Sequence, residues 1–227
     1  MSAILKVLII LLTPLILIMG SIRLLTTNAY LGLEYGKPDF PPDSFGFTPL
    51  ERLDFASANL HFVSGKEDLG VLTNQEYAGQ PLYNERELSH MQDVQNVFQG
   101  AWFAWKLALG VAALSALYLI LRAKSLRPIG TAFTVGGLLT AGAVLLIGFL
   151  AIVGWDSWFT SFHELFFIPG TWTFNYSDTL IRLFPEKFWF DGALTVSALS
   201  LVSGLVLAWI GGRFELHALH IFHTVTD

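Results

Sequence analysis

Four long apolar stretches constrain this 227-residue chain more than any other feature of its sequence. They run from Ala3 to Ile22, from Ala101 to Leu121, from Ile129 to Gly154 and from Gly192 to Gly212, and each contains at most one charged residue. A helix needs about 20 consecutive apolar residues to cross the hydrocarbon core of a bilayer. The sequence therefore predicts an all-α integral membrane protein with four transmembrane helices, the first of them an uncleaved anchor and not a signal peptide.

Basic residues in the short connections predict how these helices are oriented. Arg122, Lys124 and Arg127 crowd the connection between the second and third helices, and such clusters stay on the cytoplasmic side. An even number of crossings then places both chain termini in the cytoplasm and the two remaining connections outside it. The longer outer connection carries eleven acidic and four basic residues, and we expect it to form a folded, mostly helical extracytoplasmic cap.

The predicted segments alternate between helices and the regions that connect them. They are transmembrane helix 1 (residues 1–25), the extracytoplasmic cap (26–99), transmembrane helix 2 (100–121), a cytoplasmic loop (122–128), transmembrane helix 3 (129–154), an aromatic-rich extracytoplasmic segment (155–190), transmembrane helix 4 (191–212) and a cytoplasmic tail (213–227).

Two capping motifs predict helices inside the cap. Thr48-Pro49-Leu50-Glu51 combines an N-cap, a proline at the first helical position and a carboxylate at the third, and Gly65 supplies a stop, so we expect a helix from Pro49 to Ser64. Asn84 and Glu87 repeat the pattern, and the helix that they begin should run straight into transmembrane helix 2. Residues 36–46 are rich in Gly, Pro and Asp, which predicts a loop.

Charge and motif content exclude several classes of function. The net charge of -5 and the lack of a basic face argue against a nucleic-acid partner, and a chain without cysteine has no thiolate nucleophile of its own. His163-Glu164 opens like the zinc-protease motif HExxH, but Phe167 occupies the position of the second histidine. The sequence also lacks a GxSxG elbow and a phosphate-binding loop, which disfavours a serine hydrolase or an ATP-driven pump.

The first candidate site lies at the start of the second predicted cap helix. Helical spacing places Arg86, Glu87, His90 and Asp93 along one side of it. A carboxylate three residues before and after a histidine can orient its ring and raise its basicity. The alternative is a solvated helix face held together by charge pairs.

The second candidate site is the aromatic segment after the third transmembrane helix. Thirteen aromatic residues fall among the 36 residues from 155 to 190. His163 in this segment is an ionisable residue at membrane depth, where such groups are costly and often functional. We interpret the segment as a lined lipid pocket. The alternative is an interfacial aromatic belt that merely includes a histidine.

Four further histidines are not assigned to an active site. His217, His220 and His223 recur every three residues in the tail, and a polar face at the membrane surface explains them as well as a metal site does. His61 lies near the end of the first cap helix and is expected to be structural.

Both candidate sites match the pattern of one family. The matching residues are Tyr83-Asn84-Glu85-Arg86-Glu87-Leu88-Ser89-His90-Met91-Gln92-Asp93-Val94, Phe162-His163-Glu164-Leu165-Phe166-Phe167, Trp172, Phe174, Asp178 and Pro185-Glu186. With the number of helices and the position of the cap, they resemble the bacterial lipoprotein intramolecular transacylase family. The resemblance implies a multi-pass enzyme of the bacterial cytoplasmic membrane, with its active site at the extracytoplasmic membrane surface.

The resemblance also implies a reaction and the residues that carry it. The sn-2 acyl chain of a diacylglyceryl-cysteine lipoprotein moves to the cysteine α-amino group, which gives a lyso-form lipoprotein. His90 and His163 are the implied catalytic residues. The residues implied to surround the substrate are Arg86, Glu87, Asp93, Arg52, Phe166, Phe167 and Trp172. The implied partners are the diacylated lipoprotein and membrane lipids, with no cofactor, no metal, no nucleic acid and no obligate protein partner.

Two other functions stay open at the level of the sequence. A non-catalytic membrane protein would bind lipid or lipoprotein through the same cap. A zinc-dependent membrane hydrolase would use His90, His163 and a carboxylate, although the spacing of these ligands is not diagnostic.

Overall fold

The computed structural model describes residues 1–123 and 125–224, with side chains described as far as residue 216. Its elements are, in chain order, α1 (Ser2–Leu25), α2 (Asn28–Tyr35), α3 (Pro49–Val63), α4 (Gly70–Thr73), β1 (Glu76–Tyr77), β2 (Gln80–Pro81), α5 (Glu85–Ala123), α6 (Arg127–Val153), α7 (Trp155–Phe166), α8 (Thr179–Leu183) and α9 (Glu186–Thr224). The two short strands pair antiparallel. The rest of the regular structure in the described ranges is helical, which confirms the predicted all-α class.

Within the described residues, four helices are long and apolar enough to cross a membrane: α1, α5, α6 and the part of α9 from Glu186 to Leu216. The predicted number of transmembrane helices is confirmed. α5 and α9 each contain 39 residues, or about 58 Å at 1.5 Å per residue, and the hydrocarbon core is only about 30 Å thick. For α5, the extra length confirms that the helix beginning after Asn84 runs straight into the second transmembrane helix.

The chain folds as two compact units, the first of which contains residues 1–22, 103–149 and the chain from residue 195 onwards. Glycines allow α6 and α9 to approach closely in this unit. A Cβ atom placed on Gly211 would lie 2.5 Å from the carbonyl oxygen of Gly130, and a Cβ atom on Gly137 would collide with the carbonyl oxygen of Gly204. Because lipid tails are as apolar as side chains, such close backbone packing is a main source of association between membrane helices.

Hydrogen bonds between helices add to the packing of the first unit. Ser200 Oγ donates to Ser21 Oγ at 2.9 Å and thereby joins α9 to α1. The indole N–H of Trp105 donates to the carbonyl oxygen of Ile16 at 3.0 Å, which joins α5 to α1. Polar groups at membrane depth need partners within the protein, because water is not available there.

The second unit contains residues 23–102 and 150–194. Its apolar core lies between α3, α4, the start of α5 and α8, and the buried side chains are Phe47, Ala58, Phe62, Val63, Leu72, Leu82, Tyr83, Met91, Leu180 and Leu183. Residues 26–99, which were predicted to form the cap, are therefore folded and largely helical. Their extracytoplasmic position stays a prediction.

The helix predicted at Thr48 forms as expected. Thr48 Oγ1 accepts a hydrogen bond from the Glu51 backbone N–H at 3.3 Å, and Glu51 Oε2 accepts one from the Thr48 N–H at 2.7 Å. The helix spans Pro49–Val63 with Ser64 as its C-cap. Gly65 follows with a φ of 70°, a left-handed conformation that favours glycine. The prediction of this helix is confirmed to within one residue.

Candidate active site

A capping box at the start of α5 fixes the position of His90. Asn84 Oδ1 accepts a hydrogen bond from the Glu87 backbone N–H at 3.1 Å, and Glu87 Oε2 accepts one from the Asn84 N–H at 2.9 Å. The other carboxylate oxygen of Glu87 accepts a hydrogen bond from the Leu180 backbone N–H at 2.8 Å. Glu87 is 1% exposed, so its carboxylate joins the first turn of α5 to α8. His90 follows one turn later on the same side of the helix.

α7 has one aromatic face and one polar face. Trp155, Trp158, Phe162 and Phe166 follow one another at spacings of three or four residues, and the ring centroids of successive members lie 5.3, 5.7 and 5.1 Å apart. The polar residues of the other face are Asp156, Ser157, Thr160 and Ser161. Helical spacing places His163 at the border of the aromatic face.

The His163 imidazole has a defined tautomer. Its Nδ1 lies 2.8 Å from the carbonyl oxygen of Phe159. Because a carbonyl oxygen only accepts hydrogen bonds, Nδ1 carries the proton, and Nε2 of the neutral ring keeps its lone pair. The ring packs against those of Phe159 and Trp172 at centroid distances of 4.1 and 4.7 Å. Burial lowers the pKa of His163 below its ordinary value of 6.5, and the hydrogen bond to Phe159 offsets this only in part.

His90 and His163 lie in one aromatic enclosure, which we define by Phe159, Phe167, Trp172 and Phe174. The ring centroid of Phe167 is 5.0 Å from that of His90 and 5.8 Å from that of His163, and Phe174 packs edge-on against His90 at 5.4 Å. His90 is 9% exposed, and its Nδ1 has no hydrogen-bond partner among the described residues. The two imidazoles are close enough for a charge on His163 to interact electrostatically with His90. The fold thus brings together two histidines that lie far apart in the sequence.

The segment of residues 167–174 closes this enclosure. Both of its end residues contact His90, and Trp172 within it contacts His163. Gly170 has a φ of 88°, which allows the chain to turn back between these contacts. The indole Nε1 of Trp172 is buried and has no hydrogen-bond partner in the part of the chain that the structure describes.

Two of the charged residues predicted to surround the substrate lie beside the enclosure. Arg86 donates from Nη2 to the carbonyl oxygen of Thr173 at 2.6 Å, and its guanidinium carbon lies 5.6 Å from the ring centroid of Phe174. Asp93 is exposed one turn beyond His90, and its charge acts on that histidine. The contact of Arg86 therefore helps to hold the segment 167–174 against α5.

Arg52 has different surroundings. Its Nη1 and Nη2 donate to the backbone carbonyl oxygens of Pro41 at 2.8 Å and Arg182 at 2.6 Å. The guanidinium carbon lies 5.3 Å from the ring centroid of Tyr35 and 5.1 Å from that of Phe40. These contacts involve no residue of the aromatic enclosure, so the role of Arg52 toward the substrate stays a prediction.

The two predicted pocket phenylalanines differ in their contacts. Phe167 lies between the histidines, whereas Phe166 is 45% exposed and packs on Phe162. Phe159 and Phe174 both contact a histidine, yet neither is among the predicted site residues. Phe174 belongs to the motif that carried the family resemblance, so the sequence could have identified it as a site residue. Phe159 holds His163 through its backbone carbonyl oxygen. Because every residue has this group, the sequence does not reveal such a role.

Among the side chains that the structure describes, no group of three or more histidine or acidic residues converges on a possible metal position. The side chains of His217, His220 and His223 lie outside the described residues. The hypothesis of a metal site in the tail is therefore not tested.

Four membrane-length helices, together with two histidines in an aromatic enclosure, define an integral membrane protein with a candidate acid–base centre. The sequence model of the family described as lipoprotein intramolecular transacylase Lit matches residues 7–189. The chain belongs to this family, and its members are enzymes. The predicted resemblance is confirmed, as is the expectation of an intramolecular transacylase that acts on lipoproteins.

Relatives match along nearly the full chain. An uncharacterized protein of Aquifex aeolicus (strain VF5) is 28% identical over 215 residues, which cover 93% of this chain and 94% of the relative. The membrane-integral lipoprotein intramolecular transacylase Lit of Bacillus cereus has a TM-score of 0.79 at 18% identity, with 97% of this chain and 98% of that one covered. A variant of the same protein with a histidine-to-alanine mutation has a TM-score of 0.68 at 16% identity, with 94% and 93% covered. These structures share the fold of this chain.

Proposed function

We propose that this enzyme moves the sn-2 acyl chain of a diacylglyceryl-cysteine lipoprotein to the α-amino group of the same cysteine. The product is a lyso-form lipoprotein with one amide-linked chain and one ester-linked chain. The observation that carries the proposal is the pairing of His90 with His163 across Phe167, with Nε2 of His163 left unprotonated. Transfer of an acyl group from an ester to an amine needs a base for the amine and a proton for the departing oxygen.

His163 acts as the base in this proposal. A substrate α-amino group with a pKa near 8 is about nine-tenths ammonium at pH 7, and only its neutral form attacks. As the neutral amine forms a C–N bond with the ester carbonyl, its proton passes to Nε2 of His163, while the Nδ1–H remains bonded to the Phe159 carbonyl. The same proton then passes to the glycerol oxygen as the C–O bond breaks. A well-placed base contributes typically about 10² to 10⁴ in rate.

His90 assists the departure of the glycerol oxygen. A neutral imidazole has one N–H to donate, and the buried position of His90 excludes water as a competing acceptor. A hydrogen bond from His90 to the sn-2 oxygen lowers the energy of the alkoxide that develops there. Neutral imidazoles serve as such donors in other enzymes.

Only a small catalytic site is needed, because donor and acceptor belong to one substrate molecule. Folding the two groups together supplies an effective molarity of up to about 10⁵ to 10⁸ M. The aromatic enclosure and the exposed apolar residues Phe162, Leu165 and Phe166 of α7 offer surfaces on which the acyl chains pack. Conversion of an ester to an amide is downhill, so the reaction requires no nucleotide.

The proposal also includes the position of the enzyme in the cell. The enzyme lies in the bacterial cytoplasmic membrane with both termini in the cytoplasm, and the histidine pair faces the extracytoplasmic membrane surface. Diacylated lipoproteins and membrane lipids reach it from the outer leaflet, and no obligate protein partner is required.

Three alanine variants test the roles of the histidines. His90→Ala and His163→Ala should each reduce transfer by at least about 10²-fold, with yield and thermal unfolding temperature close to those of the unmodified protein. His61→Ala is the matched control, because His61 lies on α3 outside the aromatic enclosure, and it should retain activity. Loss of yield together with activity in the first two variants would instead indicate that those histidines are structural.

The same preparations separate the alternative functions. A lipid-binding protein without catalysis would leave the diacylated lipoprotein unchanged in every variant. A zinc-dependent hydrolase would lose activity on treatment with a chelator and would release free fatty acid. The proposed transacylase should retain full activity after chelation.

A further inference from the structure

The Trp172 indole N–H differs from two other indole donors of this protein. Trp105 and Trp189 donate their N–H groups to backbone carbonyl oxygens, at 3.0 and 3.1 Å. Nε1 of Trp172 is buried without an acceptor among the described residues. Buried donors without partners are rare in folded proteins, and those that occur call for an explanation such as a role toward a ligand.

The indole ring of Trp172 lies against His163, the proposed base. Its ring centroid lies 4.7 Å from that of His163, with an angle of 34° between the ring planes, and 6.4 Å from that of Phe159. The segment 167–174 contacts His90 at both ends and His163 in its middle. These contacts hold the indole beside the proposed base.

In the proposed reaction, one developing negative charge has no hydrogen-bond donor assigned to it. As the amine nitrogen bonds to the ester carbon, the carbonyl π-electrons move to the carbonyl oxygen, which becomes an oxyanion. His163 cannot serve it, because Nδ1–H is bonded to Phe159 and Nε2 receives the amine proton. His90 is assigned to the glycerol oxygen. Enzymes of acyl transfer place fixed donors at the position of the oxyanion, in a site that excludes water.

We propose that the Trp172 N–H is the oxyanion donor, so that Trp172 is a catalytic residue and not only a wall of the pocket. This inference rests on the proposed transfer reaction. The indole N–H donates a hydrogen bond to the acyl carbonyl oxygen. This hydrogen bond becomes stronger as the tetrahedral intermediate forms, because the oxygen then carries a negative charge. It weakens again when the C–O bond to glycerol breaks and the carbonyl is restored. The donor loses no proton, so its contribution does not depend on pH.

An isosteric replacement tests the donor while preserving the shape of the ring. Trp172 is replaced in the full-length enzyme with β-(3-benzothienyl)alanine, in which sulfur stands where the indole has its N–H. We expect kcat to fall by about 10²-fold or more with KM within about threefold, and the pH dependence of kcat to keep its shape. A phosphonate analogue of the tetrahedral intermediate should lose affinity by a similar factor, whereas the unreacted diacyl lipopeptide should not.

A control variant and measurements of thermal unfolding make the result decisive. The same replacement at Trp209, which lies on α9 and is 66% exposed, should leave kcat unchanged. Transfer at the normal rate by the Trp172 isostere would overturn this inference but leave the proposed function intact. Lack of transfer by the unmodified enzyme would overturn the proposed function itself. A fall in kcat that is matched by a lower thermal unfolding temperature in Trp172→Phe and in the isostere would show a packing role and overturn the inference.

Discussion

At the scale of single residues, His163 shows how burial selects a protonation state. Burial lowers its pKa, and the Phe159 carbonyl fixes the proton of the neutral ring on Nδ1. In the unfolded chain the same imidazole binds a proton at about pH 6.5. Between the folded-state pKa and about pH 6.5 the unfolded state therefore holds more protons, and the free energy of unfolding should decrease as the pH falls through that range.

We predict that His163 titrates below pH 6.5 and that transfer is lost as the pH falls through its folded-state pKa. Above that pH the rate should continue to rise until the substrate amine, with a pKa near 8, is neutral. Nitrogen-15 NMR of labelled histidine checks both the pKa and the tautomer, with His163→Gln used to assign the signal. A titration above pH 6.5, or a neutral ring protonated on Nε2, would count against the assignment of His163 as the base.

Glu87 shows what the sequence cannot reveal about a residue. Its spacing from His90 and its place in the family motif favoured a role beside the substrate. Its two oxygens accept backbone N–H groups of Asn84 and Leu180, and its role toward the substrate stays a prediction. The first bond follows from the capping motif and was predictable, whereas the second joins segments distant in the chain. Such long-range bonds depend on tertiary packing, which the pattern along α5 does not encode.

At the scale of helices and strands, local signals accounted for most of the fold. Capping residues predicted where α3 and α5 begin, and residues 36–46 form the expected loop without helix or strand. Hydropathy predicted the four membrane helices. The glycine contacts between α6 and α9 were not foreseen, because Gly137 and Gly142 look alike in the sequence although only Gly137 meets the other helix. Which face of an apolar helix packs is decided by its neighbours.

Neighbouring glycines of α9 offer a matched test of this packing. A Cβ atom at Gly211 would lie 2.5 Å from backbone atoms of Gly130 and Thr134, whereas one at Gly212 would meet nothing within 4 Å. Gly211→Ala should destabilise the protein by about 1 to 3 kcal/mol. Gly212→Ala should be neutral or stabilising by up to about 1 kcal/mol, through helix propensity. Unfolding in detergent measures both, and equal stabilities would contradict the packing described for α6 and α9.

At the scale of the whole molecule, the absence of cysteine makes the orientation directly measurable. Ser44→Cys places one thiol in the loop 36–46, and Ser125→Cys places one beside Arg127 in the basic connection. A membrane-impermeant maleimide applied to intact cells or spheroplasts should label the first variant and should label the second only after permeabilisation. The opposite pattern would show that the histidine pair faces the cytoplasm and would refute the proposed access of mature lipoproteins.

The most direct measurement determines where the acyl chain is and which molecule it came from. Purified enzyme receives an equal mixture of diacyl lipopeptides that carry either fully light or fully heavy labels in both the peptide and the acyl chains, and fragmentation mass spectrometry then maps the products. The account predicts one amide-linked chain on the cysteine and one ester on glycerol, at unchanged total mass and with no light chain on a heavy peptide. Exchange of chains between peptides, release of free fatty acid or unchanged diacyl substrate would each contradict an intramolecular transfer by this enzyme.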